Sequence, residues 1–311
     1  MGAPRSILVT GATGLVGRRL LPALLDGGIC VRAATRRPER AALPAGVEAV
    51  GWDGGRLPAR ALAGCEAIVH LAGEPIFGGP FTRGRRDRIF RSRVDSTRAL
   101  VEAIAALPAS ERPKALVCAS AVGYYGSRGD EVLEESAPCG GGFFADLCVA
   151  WEEEAARAAE HGVRSASLRI GVVMAREGGA LALLARLFGL GLGGRIGSGA
   201  QWVPWIHVDD LVSLLRVALA DSRCRGAWNA VAPNPVRNRD LTRELARRLR
   251  RPALLPAPAF AVRALLGELS SELLASRRAV PRRALDAGFT FAHERIDSAL
   301  AAELSGPGGE P

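Results

Sequence analysis

Three glycines near the start of the chain are spaced so that their loop could hold a phosphate group. Gly11, Gly14 and Gly17 follow an apolar run, Ile7–Thr10, and open an amphipathic stretch. In such a loop the first glycine allows a tight turn, the second lets the backbone approach a pyrophosphate, and the third lets the helix pack on the strand. The helix N-terminus adds N–H donors for the anion. The predicted dinucleotide contacts are Gly11, Thr13, Gly14, Leu15, Val16 and Gly17.

Two arginines follow the second predicted strand, where the ribose of a dinucleotide would lie. Sites that prefer NAD usually carry an acidic residue here for the ribose 2′-hydroxyl, but Arg36 and Arg37 stand after Cys30–Thr35. Because a guanidinium matches a phosphate in charge and geometry, we predict NADP(H) rather than NAD(H), with Arg36 as the first contact. Arg37 is either a second contact or an ordinary solvated side chain.

The ends of the next two predicted strands carry further candidates. Asp53 either accepts a hydrogen bond from the adenine amino group or serves as a turn or helix-cap residue. His70 is expected to be a buried core residue rather than a catalyst. Glu74 is either a substrate contact or a solvated loop residue. Small residues between His70 and Glu74 let the backbone pass close to the cofactor. The cofactor contacts predicted there are Leu71, Ala72 and Gly73.

These residues need a scaffold that brings the strand ends together. Short β-branched runs alternate with longer helical patterns over the first two-thirds of the chain, which predicts an α/β fold with a doubly wound parallel sheet. The predicted strands are Ile7–Thr10, Cys30–Thr35, Val47–Trp52, Ala67–Leu71, Lys114–Ser120 and Ser165–Val173. The main predicted helices are Gly14–Gly27, Arg85–Leu107 and Phe144–His161.

The regular alternation ends near Val173, and the rest of the chain has the character of a second, smaller lobe. Glycine-rich turns appear at Gly189–Gly199 and proline-rich joints at Pro252–Pro258. We predict a dinucleotide-binding core over residues 1–173. Residues 174–304 are expected to form mainly a C-terminal substrate lobe, returning to the sheet near 227–231, and residues 305–311 a tail.

Several sequence blocks together resemble one protein family. The glycine loop, His70–Gly73 and Ser120–Gly126 resemble an extended short-chain dehydrogenase/reductase. Gly197–Leu211, Asn229–Pro233 and a C-terminal segment from Pro256 to Phe289 are similar to its atypical "epimerase family protein" branch. The resemblance spans about residues 5–300. It implies a Rossmann fold and a bound NADP(H), but no particular substrate.

The resemblance also implies a catalytic set that this chain carries only in part. In the family a serine polarises the substrate, and a tyrosine four residues before a lysine transfers the proton. The positions that match this pair hold Phe144 and Cys148, and the chain has no lysine except Lys114. Ser120 keeps its place, as either a substrate and cofactor contact or a serine bonded to backbone. The remaining candidates for a proton-carrying phenol, or for aromatic packing, are Tyr124 and Tyr125.

Two further positions are candidates for ligand contacts. Arg93 stands where the family has an asparagine, and we include it among the cofactor contacts because it could supply the missing positive charge. Alternatively it binds a substrate carboxylate or phosphate, or an internal acid. Gln201 and Trp202 lie on a glycine-rich loop of the second lobe and are predicted substrate contacts.

Composition narrows the remaining possibilities. The formal net charge is +9, but the arginines are spread along the chain without interleaved aromatics, so we expect no nucleic-acid partner. The six cysteines form no Cys-x-x-Cys pair, and we expect no metal site. No apolar run approaches the roughly 18 residues of a membrane helix, so no membrane partner is expected. We expect a cytoplasmic protein with a small-molecule substrate and, by family analogy, a possible homodimer.

Two functions are consistent with these residues. The first is an NADP(H)-dependent oxidoreductase or epimerase-like protein acting on an unidentified small polar or nucleotide-sugar-like substrate. The alternative is a catalytically weak or inactive NADP(H)-binding regulator or scaffold, because the cofactor glycines are present while Phe144 and Cys148 replace the proton-transfer pair.

Overall fold

Apolar strands that are buried on both faces form the centre of the main sheet. The computed structural model describes residues 4–77 and 79–304, so the predicted tail 305–311 lies outside the described residues. The strands are β1 (Ser6–Thr10), β2 (Cys30–Thr35), β3 (Val47–Gly51), β4 (Ala67–His70), β5 (Ala115–Ala121), β6 (Val132–Leu133), β7 (Arg164–Ile170), β8 (Val172–Met174), β9 (Trp202–Val203), β10 (Trp205–His207), β11 (Gly226–Ala230), β12 (Val236–Arg237) and β13 (Arg278–Ala279).

Helices alternate with the strands of the first half and dominate the last third. They are α1 (Leu15–Asp26), α2 (Ala59–Leu62), α3 (Arg83–Arg91), α4 (Val94–Ala105), α5 (Phe143–Ala156), α6 (Gly179–Gly189), α7 (Val208–Ala220), α8 (Asn238–Leu249), α9 (Ala259–Leu266), α10 (Ser270–Leu274), α11 (Arg282–Asp286) and α12 (Ile296–Leu304).

The main sheet has seven strands in the order β11-β7-β5-β4-β1-β2-β3. β1 pairs in parallel with β2 on one side and with β4 on the other, and β2–β3 and β4–β5 are also parallel. The chain therefore changes direction of winding between β1 and β4, and ligands of such sheets bind at the carboxyl ends of the strands beside this switch point. The predicted doubly wound parallel sheet is confirmed.

The described chain forms two compact units, each assembled from separated segments. The first contains the segments up to residue 120, 146–168 and 212–228, and the second contains 121–145, 169–211 and the segment from 229 onward. In the first unit, Leu20, Leu21 and Leu24 of α1 are fully buried, as are Ile7–Val9 of β1. In the second, one buried cluster is Met174, Leu181, Phe188, Trp205, Ala232, Leu241, Leu245, Ala299 and Leu300.

The predicted continuous helix Arg85–Leu107 is wrong, because the chain breaks between α3 and α4. Arg93 has φ −112° and ψ −61°, and its amide donates to Phe90 O at 3.1 Å, one residue closer than in an α-helix. The Ser92 hydroxyl donates to Ile89 O at 3.0 Å. Serine side chains that bond nearby carbonyls compete with helical hydrogen bonds, and the apolar spacing gave no sign of this.

The predicted strand Ser165–Val173 is also interrupted, at Gly171 between β7 and β8. The backbone of Pro204 lies so close that a Cβ on Gly171 would be 2.8 Å from Pro204 O. The Gly171 amide donates to Ala230 O at 3.1 Å. The close approach of another chain segment, which no local pattern reveals, ends one strand and starts the next.

The tight packing at Gly17 predicts a large loss of stability on substitution. A Cβ at this position would lie 2.5 Å from Gly11 O and 2.6 Å from Ala12 O, both backbone atoms that cannot move independently. We expect Gly17→Ala to lower the free energy of unfolding by about 2 kcal/mol or more, seen as a lower melting temperature. Gly189→Ala is the matched control, because its added Cβ would have no described atom within 4 Å outside its own turn of helix and its chain neighbours. Equal melting temperatures for both variants would contradict this account.

Candidate functional site

The turn between β1 and α1 has the shape that a pyrophosphate requires. Gly14 N donates to Gly11 O at 2.9 Å, and Gly11 has φ +67°, a conformation that glycine adopts without strain. α1 starts at Leu15, and no side chain caps its N-terminus, so backbone N–H groups of its first turn remain for a ligand. Thr13 and Gly14 are exposed. The turn therefore fits the phosphate groups of a dinucleotide.

The two arginines after β2 stand at the same edge of the sheet as this turn. β2 lies directly beside β1, with Ala34 opposite Thr10, and Arg36 follows two residues later. Arg36 and Arg37 are both exposed. Within residues 4–77 and 79–304, neither guanidinium has a hydrogen-bond or ion-pair partner. Both are therefore available to an anionic group.

Asp53 closes a short turn after β3. Its Oδ1 accepts a hydrogen bond from Gly55 N at 3.0 Å, which is the turn role left open by the sequence. The carboxylate is exposed, and its contact with an adenine amino group stays a prediction.

Buried polar groups hold the end of β4 against the end of β1. Leu71 N donates to Thr10 O at 3.2 Å, and Ala72 N donates to Thr10 Oγ1 at 3.2 Å. Thr10 Oγ1 is 2.6 Å from Nδ1 of His70, whose Nε2 is 3.3 Å from Ser96 Oγ. His70 is fully buried, as expected of a core residue. Burial, with a smaller contribution from the positive charge of Arg93, lowers the pKa of His70 to about 4.

Arg93 and Glu74 lie next to this edge. Glu74 N donates to Ser92 Oγ at 2.9 Å, which ties the loop after β4 to the break between α3 and α4. The guanidinium of Arg93 packs against Gly73, where a Cβ would be 3.1 Å from Cζ. Burial lowers the pKa of Arg93, while the nearby Cys148 and Glu74 act in the opposite direction.

Ser120 is bonded to an acidic side chain that the sequence analysis did not select. Its hydroxyl donates to Glu152 Oε1 at 2.6 Å, and Ser120 is only 3% exposed. Glu152 lies one helical turn after Cys148 on the same face of α5, and that spacing was the available signal. Phe144 and Cys148 themselves are buried.

The two adjacent tyrosines of the second unit differ in burial and in hydrogen-bond partners. Tyr125 is fully buried, donates to Asn229 Oδ1 at 2.7 Å and accepts from Arg169 Nη1 at 2.9 Å. Burial raises the pKa of Tyr125, while Arg169 opposes that rise. Tyr124 is partly exposed, and its ring centroid lies 3.4 Å from Arg169 Cζ. Within the described residues the Tyr124 hydroxyl has no partner.

The same unit contains Gln201 and Trp202. Gln201 is buried and donates through Nε2 to Ile196 O at 3.0 Å, so its amide supports the local backbone. Trp202 is partly exposed and donates through Nε1 to Asp130 Oδ1 at 2.9 Å, with Arg237 Cζ 4.1 Å from its ring centroid. Their contact with substrate stays a prediction.

The described segments contain neither a group of metal ligands nor a membrane-spanning helix. No group of three or more His, Cys, Asp or Glu side chains there is arranged to hold a metal ion. Among the helices of residues 4–304, leaving out residue 78, none is long and apolar enough to cross a bilayer.

The buried neutral His70 predicts a pH dependence of stability. Its pKa is about 4 in the folded chain against an ordinary 6.5, so between these values the unfolded chain takes up a proton that the folded chain does not. Stability is therefore full above the ordinary value and falls as the pH drops below it, by up to about 1.4 kcal/mol per pH unit. His70→Gln should remove this part of the slope in urea unfolding, whereas His161→Gln should keep it. An unchanged slope in His70→Gln would refute the assignment.

Comparison with known proteins places the chain in a family. Residues 7–230 match the model of the NAD dependent epimerase/dehydratase family, and residues 257–303 match a domain of unknown function, DUF1731. A chloroplastic epimerase family protein SDR39U1 homolog from Arabidopsis thaliana is 40% identical over 306 residues, covering 96% of this chain and 86% of the relative. Epimerase family protein Mb2239 of Mycobacterium bovis is 37% identical, covering 97% and 98%.

Solved structures agree with this placement. A crystal structure of human epimerase family protein SDR39U1 (isoform 2) with NADPH has a TM-score of 0.86 at 32% identity, covering 96% of this chain and 99% of the human one. A nucleoside-diphosphate sugar epimerase from Corynebacterium glutamicum has a TM-score of 0.78 at 35% identity, covering 97% of this chain and 59% of its own. As the motifs predicted, including those of the C-terminal segment, the chain belongs to the NAD-dependent epimerase/dehydratase family.

Proposed function

We propose that this protein binds NADP(H) and acts as an oxidoreductase or epimerase-like enzyme on a small polar or nucleotide-sugar-like substrate. The observation that carries the proposal is the pair Arg36 and Arg37 beside the Gly11–Gly17 turn, whose guanidinium groups have no partner in the described part of the chain. A dinucleotide turn alone does not distinguish NAD from NADP, whereas a free guanidinium at the end of β2 favours a 2′-phosphate. The human SDR39U1 structure with NADPH supports the same choice.

Different residues of the chain would bind different parts of the cofactor. The N-terminus of α1 would hold the pyrophosphate, Arg36 the 2′-phosphate, and the backbone of Leu71–Gly73 would lie along the ribose. The bound cofactor would accept or give the hydride. The cytoplasmic location and the homodimer stay predictions.

For the proton we propose Tyr124 rather than Tyr125. Tyr124 follows the carboxyl end of β5, and its hydroxyl has no partner in residues 4–77 and 79–304. The Arg169 guanidinium on its ring face supplies a positive charge next to the phenol. Ser120 would take part as an acceptor, because its single hydroxyl proton is donated to Glu152.

A protein that binds NADP(H) with little turnover is the second candidate. The observation that favours it is the burial of Phe144 and Cys148, apolar and uncharged groups, at the positions that match the family's proton-transfer pair. Such a regulator or scaffold would bind a protein partner in a manner that depends on NADPH. A pull-down that does not change with cofactor would count against it.

Cofactor preference tests the proposed function directly. We expect fluorescence titration to give at least about tenfold tighter binding of NADPH than of NADH, because a charge-assisted hydrogen bond contributes about 1.5–3 kcal/mol. Arg36→Ala should abolish most of this preference by weakening NADPH alone. Arg40→Ala removes a charge from an exposed residue shortly after Arg36 and should leave the preference intact. Equal affinities in the parent protein would refute the assignment of Arg36.

Turnover tests the proton donor. NADPH oxidation with a panel of carbonyl compounds should fall about 100-fold or more in Tyr124→Phe, while the Kd for NADPH stays within about twofold. Tyr125→Phe should instead lower the melting temperature, because Arg169 and Asn229 lose a buried partner. Full turnover in Tyr124→Phe would refute its role, and no turnover in the parent with NADPH bound would favour the scaffold.

A further inference from the structure

Among the described residues, the guanidinium of Arg93 has no acidic partner at ion-pair distance. In residues 4–77 and 79–304, no carboxylate oxygen lies within 4.0 Å of its nitrogens. Its Nη1 donates to Ile89 O at 3.2 Å and, at a longer 3.4 Å, to Ser92 Oγ. Nε and Nη2 donate to no described residue. One two-donor edge of the guanidinium is therefore unused.

The break between α3 and α4 fixes the backbone from which this side chain extends. Arg93 O accepts from Thr97 N at 3.0 Å and from Thr97 Oγ1 at 2.6 Å. On the other side, the Ser92 hydroxyl accepts from Glu74 N and donates to Ile89 O. Hydrogen bonds of the residues before and after Arg93 therefore fix the backbone at this position.

Gly73 packs on the plane of the guanidinium, and Trp151 lies at a cation–π distance from it. A Cβ on Gly73 would lie 3.1 Å from Cζ, 3.2 Å from Nη2 and 3.4 Å from Nε. Because Cζ is the nearest of the three atoms, Gly73 lies over the plane and not along the Nε–Nη2 edge. The ring centroid of Trp151 is 5.4 Å from Cζ, which is a cation–π distance. The Nε–Nη2 edge has two parallel N–H bonds, the arrangement that a carboxylate accepts.

The electrostatics of the surroundings favour an anion of low charge. Burying a cation without a counter-ion is unfavourable, and burial accordingly lowers the pKa of Arg93. Glu74 acts on Arg93 electrostatically without forming an ion pair. Its negative charge would repel a dianionic phosphate more strongly than a carboxylate.

We propose that Arg93 binds a carboxylate group of the substrate through Nε and Nη2, so that the substrate is a hydroxy acid, an oxo acid or a sugar acid. This proposal rests on the proposed function, because it takes the Nε–Nη2 edge of Arg93 to face the substrate side of an NADP(H) site. It moves Arg93 from the cofactor contacts, where the sequence suggested it, to the substrate contacts.

The test compares acetate with acetamide, which has the same shape and no charge. Acetate should change the fluorescence of the NADPH-loaded protein with an affinity at least about tenfold above that of acetamide, because only the carboxylate accepts two charge-assisted hydrogen bonds from the guanidinium. Arg93→Gln should abolish this difference while the Kd for NADPH stays within about twofold. Arg93→Lys, which keeps the charge but not the two-point geometry, should bind acetate with intermediate affinity.

Two further variants sharpen the test. Arg98→Gln is the matched control in the adjoining helix α4, because Arg98 is paired with Glu154 at 2.7 Å. This variant should leave acetate binding unchanged. Glu74→Gln should tighten acetate binding by removing a negative charge. The melting temperature of each variant checks that it folds.

Several results would overturn the proposal. These are equal binding of acetate and acetamide by the parent, unchanged acetate binding in Arg93→Gln, or a loss of NADPH affinity in that variant. Inorganic phosphate that binds more tightly than acetate, and that depends on Arg93, would overturn the choice of a carboxylate. The same ligand series is followed by melting temperature without NADPH. Failure of the parent to bind NADPH would therefore refute the proposed function separately from the role of Arg93.

Discussion

The turn between β1 and α1 is packed so closely that two of its glycines have no room for a side-chain atom. A Cβ on Gly11 would lie 2.6 Å from the carbonyl carbon of Leu71, and one on Gly17 would lie 2.5 Å from Gly11 O. These contacts hold α1 against β1 and hold the turn against the end of β4. The free N–H groups of α1 and the backbone of Leu71–Gly73 consequently meet at one edge of the sheet, within the first compact unit.

Polar groups behind this edge link the strands through buried hydrogen bonds. Thr10 bonds the backbone of Leu71 and Ala72 as well as the ring of His70, and Ser96 is within reach of the other ring nitrogen. Buried polar groups are stable only when their hydrogen bonds are made, and here they link β1, β4 and α4. His70 remains neutral because it is buried beside the positive charge of Arg93. Because the imidazole is neutral, it does not compensate the positive charge of Arg93, and that charge is available for a ligand.

The proposed proton transfer and substrate binding depend on which polar atoms already have hydrogen-bond partners within the fold. The protons of Ser120 and Tyr125 are donated to other side chains, whereas the Tyr124 hydroxyl and the Nε–Nη2 edge of Arg93 have no partner in the described residues. A group that bonds elsewhere in the fold stabilises it, and a group without a partner is available to a ligand. In our proposal, proton transfer and substrate binding therefore belong to residues outside the usual tyrosine–lysine pair.

The sequence by itself determined the features that depend on short-range pattern. The strand and helix patterns predicted the parallel sheet, and the glycine spacing predicted the phosphate turn. The arginines after β2 predicted the preference for NADP(H). Each of these is a local requirement of backbone geometry or charge. The family followed from motifs at matching spacings.

Only the tertiary structure decided where helix Arg85–Leu107 breaks, why β7 ends at Gly171, and that Glu152 accepts the proton of Ser120. It also separated Tyr124 from Tyr125, adjacent residues of identical type, because the partners of Tyr125 lie 44 and 104 residues away along the chain. Contacts between distant segments leave no periodic trace in the sequence, so they become visible only when the chain is folded.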